Sequence, residues 1–346
     1  MRAMVTLDEL RLLVMVDNET DGLSSVDAGV PQISEIVQLA MRVPPSGEHD
    51  GHPCTVVFDK VCCAGHGLSV LVTGRRGAEE HTVLFDVGPY ADLWLGNARR
   101  LEVDLSRIEA VFLSHWHFDH SGALPEVVAA IAAARRGAGC ASPVVVDLHP
   151  DRPDQRGVLA TSGILVMLAP EPTFAAIEAA GGRLALHAGA HEVCGGFFFG
   201  SGAIERSTSY ELGLVGHHSL RGTRLEADPL IMDERFLAAE VRGRGVTVLS
   251  ACSHAGVVNA CLAAQARFPA APLDVVLGGY HLAGAAMEPR IEPTVRDLRD
   301  RIRPRLVAPG HCTGWRAKAA LAAAFAPGRY GPSVVGSLYR LEAEAA

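Results

Sequence analysis

Positive charge is in short supply in this 346-residue chain: 31 lysines and arginines face 39 aspartates and glutamates, a formal net charge of −8. With a pI near 6.0, the chain offers no basic face to a nucleic-acid backbone, and the acidic balance speaks for solubility rather than for a substrate. Also missing is any run of about 18 uncharged apolar residues, so no membrane-spanning helix is predicted. The opening stretch MRAMVTLDELRLLVMVDNE puts Asp8 and Glu9 before a short apolar run. It has neither the basic start nor the small-residue cleavage site of a secretory signal. The eight cysteines, Cys54, Cys62, Cys63, Cys140, Cys194, Cys252, Cys261 and Cys312, form no CxxC pair and no regular framework. These absences predict a cytoplasmic protein with reduced thiols. Adjacent Cys62 and Cys63 are expected as small buried apolar side chains.

Apolar material is plentiful, at 49% hydrophobic against 20% charged residues, enough for one large domain over 1–346. Short β-branched runs recur at 12–16, 68–72, 82–86, 110–114, 144–148, 164–168, 246–250, 274–278 and 306–309. Each is closed by Gly, Asp, Ser or Pro or nearly so, the pattern of strands buried on both faces. Helical patterns fall between several of them. In LPEVVAAIAAARRG, Leu124, Val127, Val128 and Ile131 share a face and Gly137 stops the run. PTFAAIEAAGG at 172–182 and TGWRAKAALAAAF at 313–325 are of the same kind. Strands alternating with helices predict a layered α/β fold. SVVGSLYRLEA at 333–343 reads as a closing strand, and QISEIVQLAMR as a short helix. Two stretches, 17–53 and 187–227, read as irregular loop insertions that shape a site entrance.

The densest chemistry lies in FLSHWHFDHSGALPEV, residues 112–127. His115, His117, Asp119 and His120 fall within six positions, directly after an apolar strand and before a helix. That places them in a tight turn at the carboxyl end of a strand, where open α/β sheets build their sites. Imidazole and carboxylate donors suit zinc, with iron or manganese as further candidates. In such a turn His115 and His117 face one cation position, while Asp119 and His120 serve a second. His254, His281 and His311 each follow an apolar strand, VTVLS, DVVLG and LVAP, so parallel strands would deliver them to the same edge.

HxHxDH after a strand, with TVLFDVG ahead of it, resembles the metallo-β-lactamase superfamily. The resemblance implies a four-layer αββα sandwich with one or two metal ions at its edge, with His254 a ligand at the first position, His311 at the second and His281 nearer the substrate than the metal. It also makes Asp86 a support for the metal-binding loop; by itself Asp86 is a turn former. The ordered blocks HGLSVLV, VLFDVG, LSHWHFDHSGAL, SACSHAGVVN, GGYHLAG and PGHCTG resemble the subfamily named for dihydropterin–ribofuranosylaminobenzene phosphate synthase. LVMVDNET at 13–20 and DPLIMDERFLAAE at 228–240 fit the same pattern. Many superfamily members carry a bridging aspartate at the end of the strand that here reads VLSACSH; Cys252 stands there instead, either as a thiolate ligand or as a small buried residue.

The remaining candidates read more plainly. His66 is a possible outer support. His149 makes a loop hydrogen bond, His217 and His218 are solvated or touch substrate, and Glu205 with Arg206 form a surface ion pair or bind an anionic group. The chemistry expected of the metal is activation of water, or of a carbonyl or phosphoryl group, with Asp119 orienting the water or taking its proton. That is a hydrolase-like enzyme acting on a small molecule. The resemblance implies instead a condensation in which an aryl amine displaces diphosphate from a pterin methyl group, on a phosphorylated or pterin-like substrate. A different class is a metal-bound sensor or binding protein without turnover. The superfamily's di-iron oxidases carry a Glu in the metal motif; Phe118 between His117 and Asp119 argues against that chemistry.

Overall fold

A computed structural model describes residues 4–27, 30, 43–325 and 327–344; the segment 32–42, with its expected helix, lies outside them. Alternating β-branched runs pair into two seven-stranded sheets. One runs, in order, Arg183–Leu186, Val145–Leu148, Ile108–Phe112, Glu79–Phe85, Ser69–Arg76, Glu9–Val16 and Leu338–Glu342. The other runs His191–Val193, Phe198–Gly200, Leu237–Val241, Gly245–Ser250, Leu273–Gly279 and Leu306–Gly310, with Thr6–Leu7 paired to Leu237–Val241.

Three apolar clusters define four layers. Leu12, Val72, Phe85 and Phe112 of the first sheet pack on Leu237, Leu249, Val275 and Leu277 of the second. Outside the first sheet, Met15, Leu84 and Val111 pack against Trp94 of the helix Ala91–Arg100 and Val127 and Ile131 of the helix Leu124–Gly137. Outside the second, Val248 and Val276 pack against Val258 and Ala264 of Val257–Arg267 and Leu321 of Trp315–Phe325. The αββα sandwich is therefore what the burial pattern of the strands requires: both faces apolar, one turned to the partner sheet and one to helices.

Parallel pairing aligns the strand ends. Phe85 stands opposite Phe112, Ser250 opposite Gly278, and Gly279 opposite Gly310. Gly278 has φ +131°, and a Cβ there would stand 2.0 Å from the Ser250 carbonyl oxygen, so only glycine permits this close approach.

Three expectations change. The run 164–168 is not a strand of the core. Leu165–Met167 is an outer strand of a small antiparallel sheet with Gln155–Leu159, His217–Arg221 and Arg224–Ala227, and Val166 is 57% exposed. An apolar run too short to show its period does not reveal which sheet it joins. The stretch 187–227 is likewise not irregular. It contributes His191–Val193 and Phe198–Gly200 to the core and two strands to the small sheet; its glycines mask the alternation. Cys62 is partly exposed and Cys63 exposed, because both sit in a surface loop rather than on a packed element.

Candidate metal centre

The five aligned strand ends deliver the chemistry. After Phe85 comes Asp86, after Phe112 the HWHFDH turn, after Ser250 the run to His254, after Gly279 His281, and after Gly310 His311. The chain turns sharply at each. Asp86, Ser253, His281 and His311 all hold left-handed backbone, with φ of 55°, 55°, 47° and 44°. Four such conformations at one edge are strain of the kind that collects at functional sites.

Asp86 anchors the turn. Its carboxylate accepts from the Ser114 N–H and Oγ–H, both at 2.7 Å, and from His120 Nδ1 at 2.8 Å. Ser114 spends its one proton on Asp86, so its oxygen accepts from His115 Nδ1 at 2.8 Å. Both imidazoles are thereby held with Nε2 facing inward. His115 Nε2 lies 3.0 Å from His117 Nδ1, and His254 Nε2 lies 3.1 Å from the same atom. His254 is placed by Glu234, which accepts from the His254 and Ala255 N–H groups at 2.8 and 2.6 Å.

A second group forms beside this one. Asp119, His120, Cys252 and His311 bring donor atoms within 4.8 Å of one another. Asp119 Oδ2 is 3.2 Å from His311 Nε2 and 3.6 Å from His120 Nε2. Asp17 accepts from the His311 N–H at 2.8 Å. Asn18 Oδ1, fixed as an acceptor by the Gly67 N–H, takes His311 Nδ1–H at 2.9 Å. With its ring proton on Nδ1, His311 Nε2 meets the Asp119 carboxylate as a lone pair and is left buried without a hydrogen bond.

This arrangement fits a divalent cation. His117 Nδ1 stands 3.0 and 3.1 Å from His115 Nε2 and His254 Nε2, close to the edge of a tetrahedral zinc site, about 3.3 Å for Zn–N bonds near 2.0–2.1 Å; His115 and His254 offer donor atoms within 4.8 Å of each other. The orphaned His311 nitrogen is the same signal at the second position, since buried polar atoms ordinarily find partners. The electrostatics agree. Burial, reinforced by neighbouring imidazoles, holds His115, His117 and His254 well below the ordinary histidine range, so they stay neutral. Burial alone would lower His120 too, but Asp119 and Asp86 outweigh it and push it up to about 9. Burial raises Asp119, yet His120 and His311 more than offset this and hold it well below its usual value. Positive charge is thus favoured beside Asp119 and Asp86, while the other three imidazoles are kept as neutral donors.

Cys252 is buried and brings its sulfur within 4.8 Å of donors in both groups, His115 and His254 as well as Asp119, His120 and His311; the sulfur lies 3.3 Å from His120 Nε2 and 3.4 Å from Cys312 Sγ. Burial and the Cys312 contact hold the Cys252 thiol well above its ordinary value. His281 packs on His254, ring centroids 4.4 Å apart, and shares a cluster with Cys252 and Cys312. His66 accepts from Asn18 Nδ2 at 3.0 Å through Nδ1 and turns Nε2 toward Asp119 Oδ2 at 3.5 Å. His149 Nδ1 accepts from the Asp151 N–H, a plain loop role.

Two readings are corrected. His217 is buried rather than solvated, and its Nε2 is 2.9 Å from His117 Nε2; burial and the Arg156 charge push it down to about 4. Arg206 donates to the Ile204 and Leu230 carbonyl oxygens rather than pairing with Glu205. Sequence reading also assigned no role to Asp17, Asn18, Glu234 or Cys312. The first three lie in the blocks LVMVDNET and DPLIMDERFLAAE, so a signal existed without a role attached to it.

The centre opens on a cavity of about 690 Å³. Asn18 and Glu19 reach it from one of the stretches read as loops, Leu214 and His217 from the other, with Gly157 and Leu168 of the small sheet's hairpin opposite. Tyr90 and Trp315 stand exposed at its rim. Lys318, paired with Glu19 at 3.0 Å, also lines it.

Comparison with known proteins follows the same line. The sequence profile of the metallo-beta-lactamase superfamily matches residues 64–311. The 7,8-dihydropterin-6-methyl-4-(beta-D-ribofuranosyl)-aminobenzene-5'-phosphate synthase of Methanocaldococcus jannaschii is 28% identical over 266 residues, covering 73% of this chain and 82% of that protein. Among solved structures, Tm1679, described as a metal-dependent hydrolase of the beta-lactamase superfamily, superposes with a TM-score of 0.63 at 22% identity, over 97% of this chain and 100% of that one. The metallo-beta-lactamase fold protein YhfI of Bacillus subtilis gives 0.49 at 10% identity, over 96% and 100%. With its profile matched from before the first strand-end turn to His311, the chain belongs to the metallo-beta-lactamase superfamily.

Proposed function

We propose that this chain is a metal-dependent, hydrolase-like enzyme with a mono- or binuclear centre, zinc being the cation its donors suit best and iron or manganese the next. The superfamily fold implies divalent metal binding. The observation that carries the reading is the meeting of inward-facing imidazole nitrogens from strands far apart in the chain, at distances matched to one cation. His115, His117 and His254 hold the first position. Asp119, His120 and His311 hold the second, and the Cys252 sulfur stands between them. When bound, the cation supplies Lewis acidity toward a carbonyl or phosphoryl oxygen and makes water a competent nucleophile near neutral pH.

The chain's own residues do the rest. Asp119 borders the cavity and orients the attacking group, taking its proton. His66 steadies Asp119 from the solvent side. His281 lies beside His254 and faces the substrate. The walls restrict entry to a small molecule, with Tyr90 and Trp315 offering flat apolar faces and Lys318 a positive charge. The relative's name speaks of a dihydropterin and a ribofuranosyl aminobenzene phosphate. Identity of 28% over most of both chains supports a substrate of that kind, a flat ring with a phosphate, and synthase chemistry as the second reading.

The test is direct. Protein stripped of metal and reloaded with zinc, iron or manganese is assayed on phosphodiester, lactone and aryl ester substrates, and in parallel for condensation of a dihydropterin methyl diphosphate with an aminobenzene riboside phosphate. Metal-dependent hydrolysis supports the first reading and metal-dependent condensation the second. Inertness toward all of them, with tight retention of a small molecule, would make the chain a binding protein and overturn both.

A further inference from the structure

The small four-stranded sheet has no part in the sandwich core, yet it grips the HWHFDH turn at three points. Arg156, on Gln155–Leu159, donates to the Trp116 carbonyl oxygen at 2.9 Å and pairs with Asp233 at 2.6 Å. Asp233 in turn accepts from the Trp116 N–H at 2.8 Å. The third point is His217, on the next strand, which meets His117 Nε2 to Nε2 at 2.9 Å.

Two imidazole nitrogens at that distance share one proton, and the surroundings decide whose it is. His217 Nδ1 lies 2.7 Å from the Asp228 carbonyl oxygen. A carbonyl only accepts, so Nδ1 carries the proton of the neutral His217 ring. His217 Nε2 is therefore a lone pair, and the proton between the rings sits on His117 Nε2. His117 Nδ1 is then left unprotonated. That is the atom against which His115 Nε2 and His254 Nε2 converge at 3.0 and 3.1 Å. His115 Nε2 is itself unprotonated, because Ser114 takes the proton on Nδ1. Two lone pairs facing each other at 3.0 Å repel unless a cation lies between them.

We propose that His217 is a positioning residue of the metal centre: by accepting from His117 Nε2 it fixes the tautomer that turns His117 Nδ1 to the first cation position, and it makes the small sheet an outer support of the site. This rests on the metal reading above. The role matches that of outer partners of ligating histidines, whose loss lowers metal affinity about 10- to 100-fold. The same strand borders the substrate cavity, so the ring that orients His117 also forms part of the substrate's wall.

Full-length parent, His217→Ala, His217→Gln and the neighbouring control His218→Ala are compared for zinc affinity by chelator competition and for the visible spectrum of the cobalt-loaded protein. Glutamine restores an acceptor, its amide oxygen, to His117 Nε2. The expected result is a 10- to 100-fold loss of zinc affinity and an altered cobalt spectrum in His217→Ala, recovery of most of the affinity in His217→Gln, and no change in His218→Ala. Affinity in His217→Ala within about twofold of the parent overturns the proposal, as does a folded His217→Gln no better than His217→Ala; the tenfold lower bound sets that margin. Should His217→Ala fail to fold, His217→Gln against parent decides, with near-parental affinity and spectrum in support and an alanine-sized loss against. A parent that binds no zinc refutes the metal reading itself and this inference with it, a result distinct from equal binding by parent and variants.

Discussion

Asp119 is the side chain on which the proposed chemistry turns. Its carboxylate touches imidazoles of the centre and borders the cavity, while Asp86 holds the turn. Asp119→Asn is expected to lower metal-dependent turnover by about 10²- to 10⁴-fold. Because its neighbours hold Asp119 well below its usual value in the folded state, the same change should also lower the unfolding midpoint of the metal-free protein near neutral pH, an effect that fades at acid pH; full metal-dependent turnover in the variant would remove Asp119 from the chemistry. Glu171 behaves oppositely. It accepts from Ser121 through one oxygen while the other has no partner, and burial pushes it up from 4.5 to about 7. The folded state thus binds a proton that the unfolded state has released. This contribution to stability is full below pH 4.5 and is lost as pH rises through about 7. Glu171→Gln should flatten the fall in urea midpoint between pH 5 and 8 by up to one proton's worth of slope. An unchanged slope would show that Glu171 titrates alike in both states. The role of Asp119 was readable from the sequence, as the one carboxylate among the four candidate ligands of HWHFDH; that of Glu171, one acidic residue before Pro172, was not.

Among elements, the helix Val257–Arg267 shows how the site's strands are finished. Its first turn has no side-chain cap of its own. Glu211, from a distant loop, accepts from the Val258 and Asn259 N–H groups at 2.9 Å each. Gly256, at φ +97°, lies so close that a Cβ would stand 2.1 Å from the Glu211 carboxyl carbon. Gly256→Ala therefore combines backbone strain with expulsion of the capping carboxylate. A cost of about 2 kcal/mol or more is expected in denaturant unfolding. The small sheet depends on a buried ion pair. Arg156 holds Asp233 down to about 2 against the effect of burial, so Arg156→Met strands a buried charge. A loss of about 3–5 kcal/mol is expected from the same measurement, and a value near zero would mean that water reaches Asp233. Most sandwich strands were legible as runs of β-branched residues, but Arg183–Leu186, His191–Val193, Phe198–Gly200 and Leu237–Val241 were not. The small sheet was not, because its strands are short and half exposed, and its glycines, such as Gly157 and Gly216, hide the period.

Across the whole molecule, the two proposed positions would draw ligands from both sheets: His115, His117, Asp119 and His120 from the end of Ile108–Phe112, His254 and His311 from the ends of Gly245–Ser250 and Leu306–Gly310. A cation held there would cross-link the halves of the sandwich and favour the folded chain. Chelation should lower the thermal midpoint, and zinc at a thousand times its Kd should add about 4 kcal/mol, read by calorimetry with and without chelator; equal midpoints would place the metal outside the fold's energetics. Local order in the chain determined much of this: the apolar runs dictate two sheets, the helical patterns dictate their outer layers, and HWHFDH with histidines after three later strands marks the edge where the donors meet. Periodicity encodes which faces are buried, and that survives in a linear string. Tertiary structure alone decided which nitrogen meets which acceptor. His117 finds His217 across 100 residues, and His311 finds Asn18 across 293. A hydrogen bond depends on distance and direction in space, and residues so far apart leave no spacing to read until the sheets have closed.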